Sequence, residues 1–173
     1  MSIIEMKNGL ELKIFIIKSD PLIYRTIRIN SKISLSDLHW IIQDLFAWQN
    51  FHIHEFNIKG TVITSDREER IRLNQFIRGV GAKFHYTYDY VNSWIHEIVV
   101  IDTFRIDDDS TAVICMDGAR NSPPEDSGGI KSYQEKLAIL NDPSHPEYEW
   151  VLEWTDEFDP EYFDIRELNA RLI

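Results

Sequence analysis

Alternation of apolar and polar residues is the feature of this sequence that most restricts its fold. Apolar side chains occupy every second position from Leu10 to Ile16, and a similar run extends from Ile23 to Ile29 after the segment Ser19-Asp20-Pro21. A period of two places neighbouring side chains on opposite faces of a strand, whereas aspartate and proline are typical of turns. The sequence therefore predicts an N-terminal β-hairpin.

Further alternating runs continue through the first two thirds of the chain. Residues Lys83–Asp89 and Trp94–Ile101 both alternate, and the short segment between them predicts that they pair as an antiparallel hairpin. Strands are also predicted from Trp48 to Ile58 and from Thr111 to Met116. Just before the last of these, the acidic tract Asp107–Asp109 is typical of an exposed turn.

Helices are predicted where the apolar spacing changes to three and four residues. Ser34 and Asp37 have the spacing of a capping box, and the apolar residues that follow recur at helical period, so a helix is predicted from Leu35 to Ala47. A second, shorter helix is predicted over Ile71–Ile77, because glycines follow it closely.

The last third of the chain has helical spacing. Helices are predicted over Tyr133–Leu140 and Tyr148–Leu152, and capping signals predict further helix starts at Asp159, which precedes Pro160, and at Asp164. Strands followed by helices predict an α+β fold. We expect a single domain over residues 1–173, with an antiparallel or mixed β-sheet, helices packed on one face and a helical C-terminal third.

Composition limits the classes of function. With 173 residues and 43% hydrophobic content, the chain can bury a core of its own. It has no long apolar run and no signal-peptide layout, so we expect a cytoplasmic protein without a membrane partner. Cys115 is the single cysteine and excludes an intrachain disulfide. The net charge of −11 argues against non-specific nucleic-acid binding.

The segment from Cys115 to Tyr133 predicts a loop of defined shape. It contains the motif Pro123-Pro124-Glu125-Asp126-x-Gly128-Gly129. Proline fixes φ and removes a backbone donor, while glycine permits positive φ and close backbone approach. The shape of this loop is the firm inference from its sequence. We weigh two roles for it, a structural or partner-binding scaffold and a catalytic or metal-binding site, and favour the first.

An ordered series of motifs resembles the Ri-plasmid ORF-three-like family. The resemblance extends over nearly the whole chain, from about Leu10 to Leu172. The motifs that carry it are Leu38-His39 with Phe46-x-Trp48, His54-Glu55-Phe56, Tyr88-Asp89-Tyr90 with Trp94-x-His96-Glu97, Cys115-x-Asp117-Gly118, Pro123-Pro124-Glu125-Asp126-x-Gly128-Gly129 with Tyr133, His145-Pro146-Glu147, and Phe158-Asp159-Pro160 with Phe163-Asp164.

The resemblance implies a single α+β domain and a prokaryotic cytoplasmic home, among proteins of plasmids, transposons and chromosomes. Some of those proteins carry a transposon TnpR label, yet the constellation of a serine recombinase is not found in this acidic chain. Two positions depart from the family pattern. Asn92 stands where the family usually has Asp, and the Gly that usually precedes this Asp is Val91 here. Ser122 stands where the family usually has Cys. Tyr24, where Trp is frequent, is a milder departure.

Histidines and carboxylates are the candidate site residues. We predict a ligand or partner site around the Pro-Pro loop, formed by His54, Glu55, His96, Glu97, Asp117, Glu125, Asp126 and Tyr133. Mixed histidine and carboxylate sets also suit divalent metals, and His39 and His145 would then join them. The same residues also have structural roles that argue against a catalytic or metal site. Histidine and glutamate pairs form hydrogen bonds across sheets, and Glu125 and Asp126 can accept from the backbone N–H groups of Gly128 and Gly129.

The sequence suggests three functions. The favoured one is a non-enzymatic binding domain without a cofactor, whose partner is a protein or a small ligand. A metal-dependent hydrolase, with a divalent metal held by the same side chains, is the alternative. An acidic accessory protein of mobile-element DNA transactions, which would occupy a DNA-binding partner, rests on the charge of −11 alone. Aromatic residues are candidates for lining a groove, although aromatics at alternating strand positions are usually core. These aromatics are Trp40, Trp48, Phe51, Tyr86, Tyr88, Tyr90 and Trp94.

Overall fold

A computed structural model describes residues 7–107, 110–156 and 158–172 of the chain. In these ranges seven strands form one antiparallel sheet. One α-helix lies between the second and third strands and three follow the last strand, which confirms the α+β class. The strands are β1 (Gly9–Ile16), β2 (Tyr24–Asn30), β3 (His54–Ile58), β4 (Thr61–Thr64), β5 (Lys83–Tyr88), β6 (Trp94–Phe104) and β7 (Ile114–Ala119). The helices are α1 (Leu35–Phe46), α2 (Gly129–Leu140), α3 (Tyr148–Trp154) and α4 (Ile165–Arg171).

The two hairpins predicted from alternation are both present and form the centre of the sheet. Strand order is β4-β3-β5-β6-β1-β2-β7. Leu12 pairs with Ile27 on one side and with Val100 on the other, and Tyr86 pairs with His96. Pairing of β1 with β6 therefore joins the N-terminal hairpin to the second hairpin. None of the described helices has the length and apolar character needed to cross a membrane.

Helix α1 begins at the predicted capping box. The hydroxyl of Ser34 accepts from Asp37 N at 2.9 Å, and Asp37 Oδ2 accepts from Ser34 N at 3.0 Å. The helix ends at Phe46 and is capped by Ala47, whose φ of 54° is left-handed. Its buried stripe lies on the sheet, where Gln43 Nε2 donates to the hydroxyl of Tyr86 at 3.1 Å.

Tertiary pairing changes one of the predicted helices. The predicted helix over residues 71–77 is wrong: Leu35 N donates to Ile71 O at 2.9 Å and Leu73 N to Ile33 O at 3.1 Å, so this segment pairs with the start of α1. Within residues 68–77, two 3₁₀ turns form in place of the predicted helix, Glu68–Arg70 and Leu73–Gln75.

Other boundaries move because of turns and neighbouring strands. The strand predicted from Trp48 begins only at His54, and Asp159 starts a turn rather than a helix, since its Oδ1 accepts from Glu161 N at 2.9 Å. The strand predicted over Thr111–Met116 lies three residues later, as β7 (Ile114–Ala119), which pairs with β2. Of the predicted acidic turn, Asp108 and Asp109 lie outside the described residues.

The two faces of the sheet have different environments. Alternate residues of β1, β5 and β6 are buried beneath α1, while the residues between them are half-buried or exposed. We call these the covered face and the open face. Because successive residues of a strand point to opposite faces, each strand contributes side chains to both.

The outer edge of β7 is occupied by a side chain of α4. Asn169 Oδ1 accepts from Cys115 N at 2.7 Å, and Asn169 Nδ2 donates to Cys115 O at 3.0 Å. The amide therefore satisfies both backbone groups of this residue, as a neighbouring strand would. Exposed edges of this kind invite pairing with other chains, so Asn169 protects the sheet from association at this point.

Replacing Asn169 by Ala should destabilise the fold by about 1–3 kcal/mol, because it leaves a backbone donor and acceptor of buried Cys115 without partners. Urea denaturation measures the change in the free energy of unfolding. Arg166→Ala is the matched control on α4, since the Arg166 side chain is 90% exposed. Equal stability of the two variants would show that the Asn169 contacts contribute nothing.

Candidate functional site

The sheet separates the predicted site residues. His54 and His96 lie on the covered face, where they are 8% and 0% exposed. Their neighbours Glu55 and Glu97 lie on the open face and are partly exposed. Since adjacent strand residues point in opposite directions, neither histidine can face the same ligand as the glutamate beside it.

His54 belongs to a buried polar network between α1 and the sheet. Its Nε2 lies 2.8 Å from Oε2 of Glu68, which is 5% exposed, and its ring stacks on His39 with centroids 3.5 Å apart. The Nδ1 of His39 lies 2.8 Å from the hydroxyl of Tyr86, and its Nε2 lies 3.1 Å from Asn50 Oδ1. Glu68 is distant from His54 along the chain, so no local pattern indicated that the two side chains are partners.

His96 is enclosed by aromatic rings. Its ring makes edge contacts with Phe46 at 4.8 Å and Trp48 at 5.4 Å, and its Nδ1 lies 3.1 Å from Trp94 O. Burial lowers the pKa of His96 to about 4. Burial, and then the neighbouring His54, lower the pKa of His39 to about 4 as well. Both imidazoles are therefore neutral packing groups at neutral pH.

The carboxylates of the open face each have a partner of their own. Glu55 accepts from the hydroxyl of Tyr90 at 2.7 Å, and Glu97 Oε2 lies 3.3 Å from His85 Nε2. Asp117 accepts from the hydroxyl of Tyr24 at 2.9 Å, and this bond raises the pKa of Tyr24. Glu55, Glu97 and Asp117 lie on β3, β6 and β7, and no two of these strands are neighbours in the sheet, so the structure does not bring the three carboxylates together.

The Pro-Pro loop is anchored at one end of the covered face. Pro123 O accepts from Trp48 Nε1 at 3.0 Å, and Glu125 accepts from Gln49 N at 3.0 Å and from the hydroxyl of Tyr88. Burial and then this carboxylate raise the pKa of Tyr88. Trp48 also stacks on Tyr88, with centroids 5.1 Å apart. Glu125 therefore binds Gln49 in the segment after α1, whereas the sequence predicted hydrogen bonds within the loop.

Asp126 lies beside a histidine that the sequence did not single out. His52 Nε2 lies 3.6 Å from Asp126 Oδ1 and 3.8 Å from Asp89 Oδ2. Asp89 is 2% exposed and shapes the turn after β5, since its carboxylate accepts from Val91 N at 3.0 Å and from Asn92 Nδ2 at 2.6 Å. The alternating pattern placed His52 on a strand, which hid its position in a loop.

Tyr133 and Cys115 are core residues. Tyr133 is 1% exposed and packs edge-on against Phe158 with centroids 6.3 Å apart. Burial raises the pKa of Tyr133 to about 12 and also raises the pKa of the Cys115 thiol. A buried protonated thiol is a poor nucleophile, so Cys115 serves as a small core residue.

No group of three or more histidine, cysteine, aspartate or glutamate side chains is placed to hold a metal ion in the part of the chain that the structure describes. His39 and His54 lie in one network, His96 lies in the aromatic core, and Glu125 and Asp126 lie in the loop. Among the described residues the hydrolase alternative therefore has no ligand cluster.

Large apolar side chains are exposed beside the anchored loop. Phe51 is 69% exposed, Ile53 is 63%, Tyr90 is 43% and Val91 is 91%. The two segments that carry them are joined, because Asp89 N donates to Ile53 O at 2.9 Å. We call Phe51, Ile53, Tyr90 and Val91 the apolar rim. Phe51 and Tyr90 were candidate groove residues, whereas nothing in the alternating pattern marked Ile53 and Val91.

Gly129 fixes the loop against the turn after β5. Its φ is +83°, and a Cβ there would collide with Asn92 O, a backbone atom. Gly60 has nearly the same φ, +84°, but open space around it. Gly129→Ala and Gly60→Ala should therefore share a left-handed backbone cost of roughly 1–2 kcal/mol, and only Gly129→Ala should lose more through the clash. Equal losses in urea denaturation would contradict this contact.

Stability should fall in acid because His39 and His96 are buried as neutral rings. Their folded pKa values of about 4 lie below the value of about 6.5 in an unfolded chain. The unfolded state therefore binds more protons between these values, so the stabilisation is complete above pH 6.5 and is lost as pH falls toward 4. The limiting slope is about 1.4 kcal/mol per pH unit for each histidine.

Urea denaturation between pH 7 and 4.5 measures this slope. The double variant His39→Gln/His96→Gln should have a shallower slope than the native chain, because the two titrating rings are gone. His85→Gln is the control, since the His85 side chain is 40% exposed. An unchanged slope in the double variant would assign the acid sensitivity to other groups.

Known proteins are similar to this chain over most of its length. The family described as "Plasmid pRiA4b ORF-3-like protein" matches residues 8–167. "Uncharacterized protein y4hQ" of Sinorhizobium fredii is 29% identical over 170 residues, which cover 91% of this chain and 87% of that protein. A crystal structure of the protein of unknown function MM3350 from Methanosarcina mazei Go1 has a TM-score of 0.82 and 31% identity, and the match covers 92% of this chain and 96% of that one. The match of the family to residues 8–167 confirms the resemblance carried by the sequence motifs, and the chain belongs to the plasmid pRiA4b ORF-3-like family.

Proposed function

We propose that this protein is a non-enzymatic binding domain whose partner docks on the apolar rim beside the Pro-Pro loop. The observation that carries the proposal is the exposure of the four rim side chains, from 43% for Tyr90 to 91% for Val91. Folded chains usually bury large apolar side chains, and a cluster of exposed ones is typical of an interaction surface. Aromatic side chains such as Phe51 also supply much contact area at interfaces.

The rim is held in place before any partner arrives. Glu125 binds Gln49 N and the hydroxyl of Tyr88, and Asp89 N binds Ile53 O. These bonds fix both segments of the rim to the end of the sheet. A surface ordered during folding loses little conformational entropy on binding, which favours affinity.

Charge beside the rim favours a basic partner. The side chain of Asp126 is 85% exposed, and Glu55 lies nearby through its bond to Tyr90. The whole chain carries −11, so a positively charged partner is attracted at long range. The partner we propose is accordingly a protein segment with aliphatic or aromatic side chains next to lysine or arginine.

The predicted site residues take different roles in this proposal. Glu55 and Asp126 supply charge at the edge of the rim, and Glu125 holds the loop that supports it. His54, His96 and Tyr133 pack beneath the surface, and their burial prevents direct contact with a partner. Glu97 and Asp117 are engaged elsewhere on the open face, with His85 and Tyr24 respectively.

Selection from a displayed library of random peptides tests the proposal. Peptides that bind the native chain should be enriched in apolar residues next to lysine or arginine. Ile53→Ser/Val91→Ser should weaken the selected peptides by about tenfold or more, because truncation at the centre of an interface costs over 1 kcal/mol. Asp126→Lys should lower the association rate and its dependence on salt.

Val80→Ser is the matched control, because Val80 is 65% exposed on a different segment. It should leave peptide binding unchanged. Peptides without basic residues, or peptides that bind the Ile53→Ser/Val91→Ser variant as tightly as the native chain, would overturn the proposal.

A further inference from the structure

A separate concave site lies beside the first half of α1. Its cavity volume is about 570 Å³, within the range of about 300–1,000 Å³ that is usual for small-molecule sites. The connection from β2 to α1, the outer side of α1, the segment around Arg72 and the residues leading into β7 form its walls. It shares no lining residue with the apolar rim, so it is independent of the proposed function.

An indole forms part of the cavity wall. Trp40 is 53% exposed, and Asp37, Trp40 and Ile41 line the cavity together because they lie three and four residues apart on one side of the helix. Ile33 and Val113 supply further apolar surface. A half-exposed indole in a cavity wall offers a planar face on which an aromatic ring can stack.

Two cationic side chains line the same cavity, Lys32 and Arg72. The Nη1 of Arg72 lies 3.8 Å from Asp37 Oδ2, at the outer limit of an ion pair, and the Arg72 side chain is 49% exposed. That same oxygen of Asp37 already accepts from Ser34 N at 3.0 Å. The Arg72 guanidinium can therefore turn to a ligand without breaking a short contact, and its fork geometry suits carboxylate or phosphate groups.

The cavity walls are fixed to one another. Leu73 N donates to Ile33 O at 3.1 Å, and Asn74 N donates to Ser31 O at 2.8 Å. These bonds hold the Arg72 segment against the connection that leads into α1. The cavity is therefore formed by the fold itself, as most small-molecule sites are.

We propose that this cavity binds a small ligand with a planar aromatic ring and one anionic group. The ring stacks on Trp40 between the side chains of Ile41 and Val113. The anionic group binds the Arg72 guanidinium, and Lys32 adds positive charge to the cavity wall. Aromatic carboxylates and mononucleotides share this chemistry, and they differ in the size of the ring system and in the geometry of the anion.

Binding of matched anionic and neutral probes tests the assignment. The probes are indole-3-acetate with indole-3-acetamide, and adenosine monophosphate with adenosine, titrated by calorimetry into the full chain. At least one anion should bind, and its neutral counterpart should bind about tenfold more weakly, the loss expected for one charge-assisted contact. The pair that responds distinguishes a carboxylate from a nucleotide ligand.

Variants locate the binding. Trp40→Leu and Arg72→Gln should each weaken the anion about tenfold, while Trp150→Leu, which changes a tryptophan 58% exposed on α3, should leave it unchanged. Thermal unfolding confirms that each variant is folded. The proposal is overturned if neither anion binds, if the neutral probes bind equally well, or if either Trp40→Leu or Arg72→Gln leaves the affinity of the anion unchanged.

Discussion

Trp48 is the contact through which the core of the sheet supports the surface loops. Its indole stacks on Tyr88 at 5.1 Å, lies 5.4 Å from Phe46 at the end of α1, and donates through Nε1 to Pro123 O at 3.0 Å. One side chain thus joins the helix, the second hairpin and the Pro-Pro loop. An acceptor stabilises a buried indole N–H, and the rigid Pro-Pro backbone supplies one to Trp48 in a fixed place. The position of the rim depends on this contact, since Gln49 and Asn50 follow Trp48 directly into the rim segment.

These contacts explain how the residues of the loop motif anchor the loop. Pro123 offers its carbonyl to Trp48, Glu125 offers its carboxylate to Gln49 N and the Tyr88 hydroxyl, and Gly129 lies where a side chain would strike Asn92 O. Pro123, Glu125 and Gly129 therefore each contact a different residue outside the loop. A carboxylate in such a motif invites a catalytic interpretation, but Glu125 is engaged in holding the loop. The geometry favours an anchored scaffold, and the exposed charge next to it belongs to Asp126.

Local patterns in the sequence predict local structure well and the site only in part. The hairpins and the Ser34 capping box were predicted because alternation and caps are set by residues close in the chain. The pairing of residues 71–73 with 33–35 and the bond between His54 and Glu68 join distant segments, and no local period records them. The apolar rim was hard to foresee for a related reason. Val91 lies in the predicted turn between β5 and β6, but this turn is joined to Ile53 only because Asp89 N donates to Ile53 O, and no local pattern records that long-range bond.

The two departures from the family pattern fit a surface whose shape matters more than its proton chemistry. Asn92 Nδ2 donates to the buried carboxylate of Asp89 at 2.6 Å, and the hydroxyl of Ser122 accepts from Arg25 Nη2 at 3.1 Å. An aspartate in place of Asn92 would bring a second carboxylate to Asp89, and two such groups in contact need a proton or a cation between them. The amide removes that requirement and still closes the turn. A thiol in place of Ser122 would be a weaker hydrogen-bond partner for the buried guanidinium of Arg25. In this chain both positions therefore hold the loop end through neutral hydrogen-bonding groups, which keeps the rim in place without a second carboxylate at position 92 against Asp89.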